Sequence, residues 1–395
     1  MGRLALEIVL GFLSLAFVWA SVVVVAGLAA DAWRRRRPRG PLPEEPHRRR
    51  CFAAVICAHN EERVIARPIR SLLAQEYPSD LLKVVVFADN CSDRTAEVAR
   101  GFPGVEVLEK DSPSGGKGDV LAWGLDRIRD DGYDAIAVFD ADNAAEPRWL
   151  DEINRAFDGG AHVVTGHRMV WNPFVNLITG WYVIYWNLMN ELSNRVRSAL
   201  RLSSMLTGTG FAFLVSTLPK EGWRTRTFVE DLEFAFFRNL DGFRVVYAPD
   251  ALFYDEQPVS TRPMLRQLNR WATGGLQMIG RYGGTWLKAL CRRASWRLFD
   301  CFIVITMGVS GALLVIVNAA ACNLNFLWWY LGVTWTSAIV ATALSRYALR
   351  TLAVPILLFP VFALVLSYTV LFSIVHPQRH WKPIPHGELT SKGKK

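Results

Sequence analysis

An α/β fold with a mostly parallel sheet, joined to apolar segments long enough to cross a bilayer, is what this sequence predicts. Two observations lead there. Strand-like apolar runs alternate with helix-like stretches between residues 51 and 140, and uncharged apolar runs lie towards both ends of the 395-residue chain. Repeated strand, helix, strand order builds a parallel sheet with helices on both faces.

The first element is the uncharged run 8–30, long enough for a transmembrane helix, which needs about 20 apolar residues. A cleaved signal peptide is the alternative, but its apolar region would be shorter and its positive charge would precede the run. Residues 31–50 follow, with Arg34, Arg35, Arg36, Arg37, Arg39 and then Arg48 to Arg50. Basic clusters beside a span mark the cytoplasmic flank, so the next domain is expected in the cytoplasm. Much of the net charge of +9 lies here, which points to anionic lipid headgroups rather than nucleic acid. Pro38 to Pro46 reads as a stiff linker.

The domain expected at 51–282 begins with strand CFAAVICA (51–58), a helix from Glu61 to Gln75 and strand LKVVVFA (82–88). A helix from Asp93 to Arg100 with Ser92 as its cap, strand VEVLE (105–109), a helix from Asp119 to Arg129 and strand AIAVFD (135–140) complete the alternation. The aromatic segment 171–201 is expected along the membrane surface or lining a substrate path. Residues 283–299 mix Trp, Leu and Arg as an interfacial amphipathic helix would. Apolar segments then fill 300–376, and a basic tail covers 377–395. Three crossings there would put that tail on the side of the N-terminus, against the positive-inside bias, unless a segment such as 352–375, with Pro355 and Pro360, turns back.

In parallel sheets ligands bind beyond the carboxyl ends of the strands, and polar residues collect there. His59, Asn60 and Glu61 follow the first strand, Asp89 and Asn90 the second, Asp140 and Asp142 the fourth. Two carboxylates converging at one point repel unless a cation intervenes, and hard oxygen ligands suit Mg²⁺ or Mn²⁺ completed by water and phosphate. An acidic turn without a metal is the plainer reading of that pair. Asp89 can accept hydrogen bonds from a ribose or base. SGGKGD (114–119) lacks the spacing of an ATP-type phosphate loop, which leaves Lys117 as an anion contact.

In TFVEDLEFAFF (227–237), Glu230 and Asp231 diverge by about 100° on a helix, so only one can address a given atom. Such a carboxylate can take the proton of an attacking hydroxyl. In QLNRW (267–271), Gln267, Arg270 and Trp271 fall within one helical turn. Arg can clamp a diphosphate, and Trp offers a flat face to a sugar ring. Six cysteines show no metal-ligand spacing and no disulfide pattern.

These pieces, in this order, resemble the membrane-integral family-2 glycosyltransferases of the cellulose, hyaluronan and chitin-oligosaccharide synthase group. The matching residues are AHNEE, ADNCSDRTAEVAR, FDADN, TGTGF (207–211), VEDLE, YDEQP (254–258) and QLNRW, the QxxRW type. The resemblance implies a GT-A catalytic domain, a UDP-linked donor as a rule, a divalent metal and inversion at the anomeric carbon. It places Glu61, Asp89, Asp140, Lys117 and Arg270 at the donor, Asp142 at the metal and Asp231 as general base. Glu230, Gln267, Trp271 and Thr209 fall on the acceptor and diphosphate side. It implies transfer to a growing polysaccharide, or one sugar to a membrane lipid as in ceramide glucosyltransferase. Three or four spans enclose a secretion channel only with a second copy or a partner subunit. A membrane sensor that binds a nucleotide sugar without turnover is the reading from a different class.

Overall fold

A computed structural model describes residues 2–36 and 48–380. The expected linker 38–46 and most of the basic tail lie outside the described residues. The chain opens with α1 (Gly2–Arg36), which contains the apolar run. The sheet begins with β1 (Phe52–Ala58), followed by α2 (Ala66–Leu73), β2 (Leu82–Asp89), α3 (Thr95–Arg100) and β3 (Val105–Lys110). After α4 (Lys117–Arg127) come β4 (Ala135–Asp140), the two-residue β5 (Ala144–Ala145), α5 (Trp149–Asp158) and β6 (Val163–Val170).

The chain leaves the sheet through α6 (Leu177–Asn187), a wide-turned π-helical stretch (Leu188–Arg195) and α7 (Val196–Ala199). It returns as β7 (Phe211–Leu214), α8 (Glu230–Leu240) and β8 (Val245–Asp255). The eight strands form one sheet in the order β3-β2-β1-β4-β7-β6-β8-β5. Strands β1 to β4 pair in parallel, while β7 runs antiparallel between β4 and β6. This is the expected GT-A-like architecture, with helices on both faces of a mostly parallel sheet.

Strand alternation assigns the two faces. Phe52, Ala54 and Ile56 pack with Ile69 and Leu72 of α2 and with Trp149 and Ile153 of α5. Ala53 and Val55 face the other way, against Leu121 and Leu125 of α4 and Phe234 of α8. Each large side chain buried this fully contributes about 1.5–3 kcal/mol.

Two local expectations need correction. The helix expected from Glu61 starts only at Ala66. Pro68 lacks an amide proton and fits only a first turn, so the residues before it are left to a turn at the strand's exit. Ser92 does not cap α3, whose N-cap position is Arg94 without a side-chain cap; Asp93 before it accepts the Thr95 amide at 2.9 Å and the Glu62 amide at 3.1 Å.

The chain divides into two compact units. One holds the sheet, running to Trp171 and through Ser204–Pro258; the other gathers α1, Asn172–Ser203 and Val259–Arg379. Residues 172–203 and those after 258 of the expected 51–282 stretch thus fall in the helical unit. That unit continues with α9 (Thr261–Arg293), α10 (Trp296–Ala320), α11 (Leu324–Leu344), α12 (Ala353–Leu357) and α13 (Phe359–Val375).

No single interfacial helix occupies 283–299. Ala294 takes a left-handed conformation at φ 42° and ends α9, and Ser295 opens α10. Trp286 is buried, donating to the Leu298 carbonyl at 3.2 Å. Within the 171–201 segment, Trp181, Tyr182, Val183, Ile184 and Trp186 are buried, α6 packing on α11, α12 and the π-helical stretch.

Among the described residues, three stretches are long and apolar enough to cross a membrane: Leu13–Arg34, Trp296–Ala320 and Leu324–Leu344. The pair Leu349–Leu357 and Phe359–Val375 is bent by 54°. Pro360, at the start of α13, has no amide proton to donate, so the bend leaves carbonyls to be satisfied from elsewhere. Tyr330 donates to the Pro360 carbonyl at 2.8 Å, and the Trp335 indole donates to the Leu357 carbonyl at 3.0 Å.

Candidate active site

The carboxyl ends of β1, β2 and β4 carry the polar residues the sequence singled out. Asn60 and Asn90 end their strands at φ 57° and 47°, a left-handed turn that Asn tolerates better than most residues. Asn60 Oδ1 accepts the Ser92 amide at 2.8 Å, and Asn90 Nδ2 donates to Asp89 at 2.8 Å. Lys110 Nζ lies 3.7 Å from the same carboxylate, and both groups are buried. Glu61 stands at the rim, its amide donating to Thr95 Oγ1 at 2.7 Å. Asp89 is thus oriented from two sides.

At the end of β4, residues 140–143 make a tight turn closed by the Asn143 amide on the Asp140 carbonyl at 3.2 Å. Asn143 is the hub. Its Oδ1 accepts the Asp140 amide at 3.0 Å and the Thr209 hydroxyl, and its Nδ2 donates to Asp142 at 3.3 Å and to Asp255 at 2.8 Å. Thr209 also accepts the Asp140 amide at 2.9 Å and is fully buried. Its side chain therefore braces the turn, and its approach to an acceptor is a matter of the loop backbone around it. Asp255 is buried and bound by Arg168, whose Nη1 reaches on to the Thr207 carbonyl at 2.5 Å.

Lys117, at the start of α4, pairs with Asp140 and donates to the Gly208 carbonyl at 2.6 Å. The Gly208 amide in turn donates to Asp231 at 2.6 Å. One glycine, held at φ 87°, therefore stands between the cation and the carboxylate of the first turn of α8. Burial pulls the Lys117 pKa down, but Asp140, Cys57 and Glu230 outweigh it and hold the ammonium above the ordinary lysine value. Burial pushes the Asp231 carboxyl above the ordinary aspartate value, opposed by the amides of Leu232 and Gly208 and by Lys117. Glu230, also buried, diverges from Asp231 on the same turn. Burial pushes the Cys57 thiol up to about 12, as befits a packing residue.

The structure thus joins Asp140 directly to Lys117 and Thr209, and Lys117 by way of Gly208 to Asp231, in the sheet unit, with Asp142 on the Asp140 turn. No group of three or more His, Cys, Asp or Glu gathers for a metal among the described residues. Two carboxylates on one turn still fit Mg²⁺ or Mn²⁺, which bind through one or two carboxylates when water and phosphate complete the shell.

Gln267, Arg270 and Trp271 lie on α9 in the helical unit. Tyr182 donates to Gln267 Oε1 at 2.6 Å. Trp271 stacks on Tyr185 with centroids 5.9 Å apart and an interplanar angle of 17°, so one of its faces is taken. Arg270 is half-buried beside them. The supporting residues Asn143, Arg168, Asp255 and Lys110 were not singled out from the sequence. YDEQP and FDADN contained two of them, but nothing local marked their partners.

The profile described as glycosyltransferase like family 2 matches residues 47–274. The "Probable glycosyltransferase YdaM" of Bacillus subtilis is 26% identical over 306 residues, 74% of this chain and 72% of that protein. The "Beta-monoglucosyldiacylglycerol synthase" of Trichormus variabilis is 28% identical over 321 residues, 76% of this chain and 67% of that protein. Among solved structures, a mannosyltransferase from Pyrobaculum calidifontis in complex with GDP-Man and Mn²⁺ superposes with a TM-score of 0.61 at 17% identity, over 93% of this chain and 99% of that one.

Proposed function

The chain belongs to glycosyltransferase family 2, and from that premise we propose that it moves a sugar from a UDP-linked donor to a growing polysaccharide acceptor at a membrane, with inversion and with a divalent cation. The observation that carries this reading is the chain of contacts from Asp140 through Lys117 and Gly208 to Asp231.

Asp89, fixed by Asn90 and Lys110, takes the nucleoside; Glu61 and Asp140 border it, and Lys117 meets the phosphates. Asp142, with Asp140 beside it, holds Mg²⁺ or Mn²⁺, whose charge offsets that of a bound diphosphate. The fold neighbour's Mn²⁺ complex supports that assignment. Asp231 deprotonates the acceptor hydroxyl as it attacks from the face opposite the leaving group, and its raised pKa makes it a stronger base than an exposed aspartate. One displacement inverts the configuration. Glu230 and the loop around Thr209 border the acceptor. Arg270, with Gln267 and Trp271, is assigned to the departing diphosphate and the acceptor, the QxxRW role.

A second reading, transfer of one sugar to a membrane lipid, is favoured by the similarity to a glucosyldiacylglycerol synthase. Membranes containing the protein, incubated with a panel of nucleotide sugars and sized for products, decide between them. A polymer ladder supports the first reading and a single glycolipid band the second. Release of no nucleoside diphosphate from any donor would overturn both and leave a binding protein.

A further inference from the structure

Arg67 has no place in the mechanism above, yet it reaches the turn that carries Asp142. It projects from the first turn of α2, and its Nη1 donates to the Asp142 carbonyl and to Glu256 Oε2, both at 3.1 Å. The guanidinium lies over the Trp171 ring, 4.5 Å from its centroid. Arg67 and Glu256 are largely buried, with side-chain exposures of 16% and 8%. A buried ion pair is a poor source of net stability, because desolvation offsets most of the attraction. Its use is better sought in what it fixes.

The turn has a backbone closure and the Asn143 side chain on its inner side. The closure holds the peptide that leaves Asp142 by its amide end, the Asn143 N–H, and a rotation at its carbonyl end would swing the Asp142 side chain. Arg67 holds that carbonyl from α2, while Glu256 and Trp171 hold Arg67.

We propose that Arg67 is a positioning residue that fixes the Asp142 turn for metal-diphosphate binding, an inference that rests on the function proposed above. Its guanidinium suits the task because one plane can donate along its edge and stack on an indole at once, which an ammonium cannot do.

The test is Mn²⁺ binding to the full-length protein in detergent, followed by electron paramagnetic resonance with UDP, GDP or ADP present, alongside transfer assays. Groups that orient a metal ligand typically change affinity by about 10–100-fold when removed. Arg67→Met is therefore expected to weaken Mn²⁺ binding by about tenfold or more, with the metal concentration for half-maximal activity rising in step. Arg67→Lys should recover part of the loss. Glu256→Gln, which keeps a hydrogen-bond acceptor for Arg67, should change it by only about twofold. Wild-type Mn²⁺ affinity in a folded Arg67→Met protein overturns the inference. If Arg67→Met does not fold, equal affinities in Arg67→Lys and wild type overturn it. Mn²⁺ binding by wild type that no nucleotide strengthens overturns the donor reading itself, and this inference with it.

Discussion

Gly208 shows how the site is set at the level of single residues: its carbonyl accepts a hydrogen bond from Lys117 and its amide donates one to Asp231. Because burial raises the Asp231 pKa, the rate should fall as pH drops through a value above the ordinary 3.8, where the base becomes protonated. Lys117 works against that rise, so Lys117→Met should move the acid limb of the kcat profile to higher pH. Asp231→Asn should lower kcat by about 10²–10⁴-fold with donor affinity nearly intact. Unchanged turnover in that variant would remove Asp231 from the role. Arg168→Met should leave the buried Asp255 carboxylate short of its cation at a cost of about 3–5 kcal/mol, visible as a lower Tm. The candidate carboxylates Asp89, Asp140 and Asp142 were legible in the sequence because acidic residues at strand exits are chemically conspicuous. Arg168 was not: it sits inside the run VVTGHRMV, and its partner lies 87 positions away.

Among elements, β1 to β4 were legible because buried parallel strands read as continuous apolar runs between helical stretches. The far half of the sheet was not, since β5 has two residues, β7 has four, and β7 reverses direction. The entry to β7 depends on Gly210, held at φ 61°, where an added Cβ would sit 2.2 Å from the Phe253 ring. Gly210→Val should therefore cost about 1–3 kcal/mol in backbone strain alone, with the ring clash added. Thermal unfolding at the wild-type Tm would contradict this account. The boundary between α9 and α10 was misplaced for a related reason: the break at Ala294 is a backbone conformation, and no Gly or Pro announces it.

For the molecule as a whole, composition identified the apolar stretches and Pro355 and Pro360 marked the last as one that does not cross straight, while the folded chain puts its bend of 54° between Leu357 and Phe359. If α10 crosses a bilayer, Cys291 before it and Cys322 after it, both exposed, emerge on opposite sides. With Arg292, Arg293 and Arg297 marking the inner side, an impermeant maleimide added to intact cells should label a variant whose sole cysteine is Cys322 and spare one with only Cys291. Labelling of both would rule out that crossing. The end of α13 bears on the same question. Ser373 donates to Asn269 at 2.5 Å, and the Gln378 amide donates to Thr273 at 3.2 Å, both on α9. Asn269 lies within the Gln267–Arg270–Trp271 stretch and Thr273 just after it, on a helix too rich in arginine for the hydrocarbon layer, so residues 373–378 lie on the side where α9 lies. The end of α13 is therefore a poor place to cut the chain. A fusion or truncation that pulls on residues 373–378 would be transmitted along α9 to that triplet and register as lost turnover.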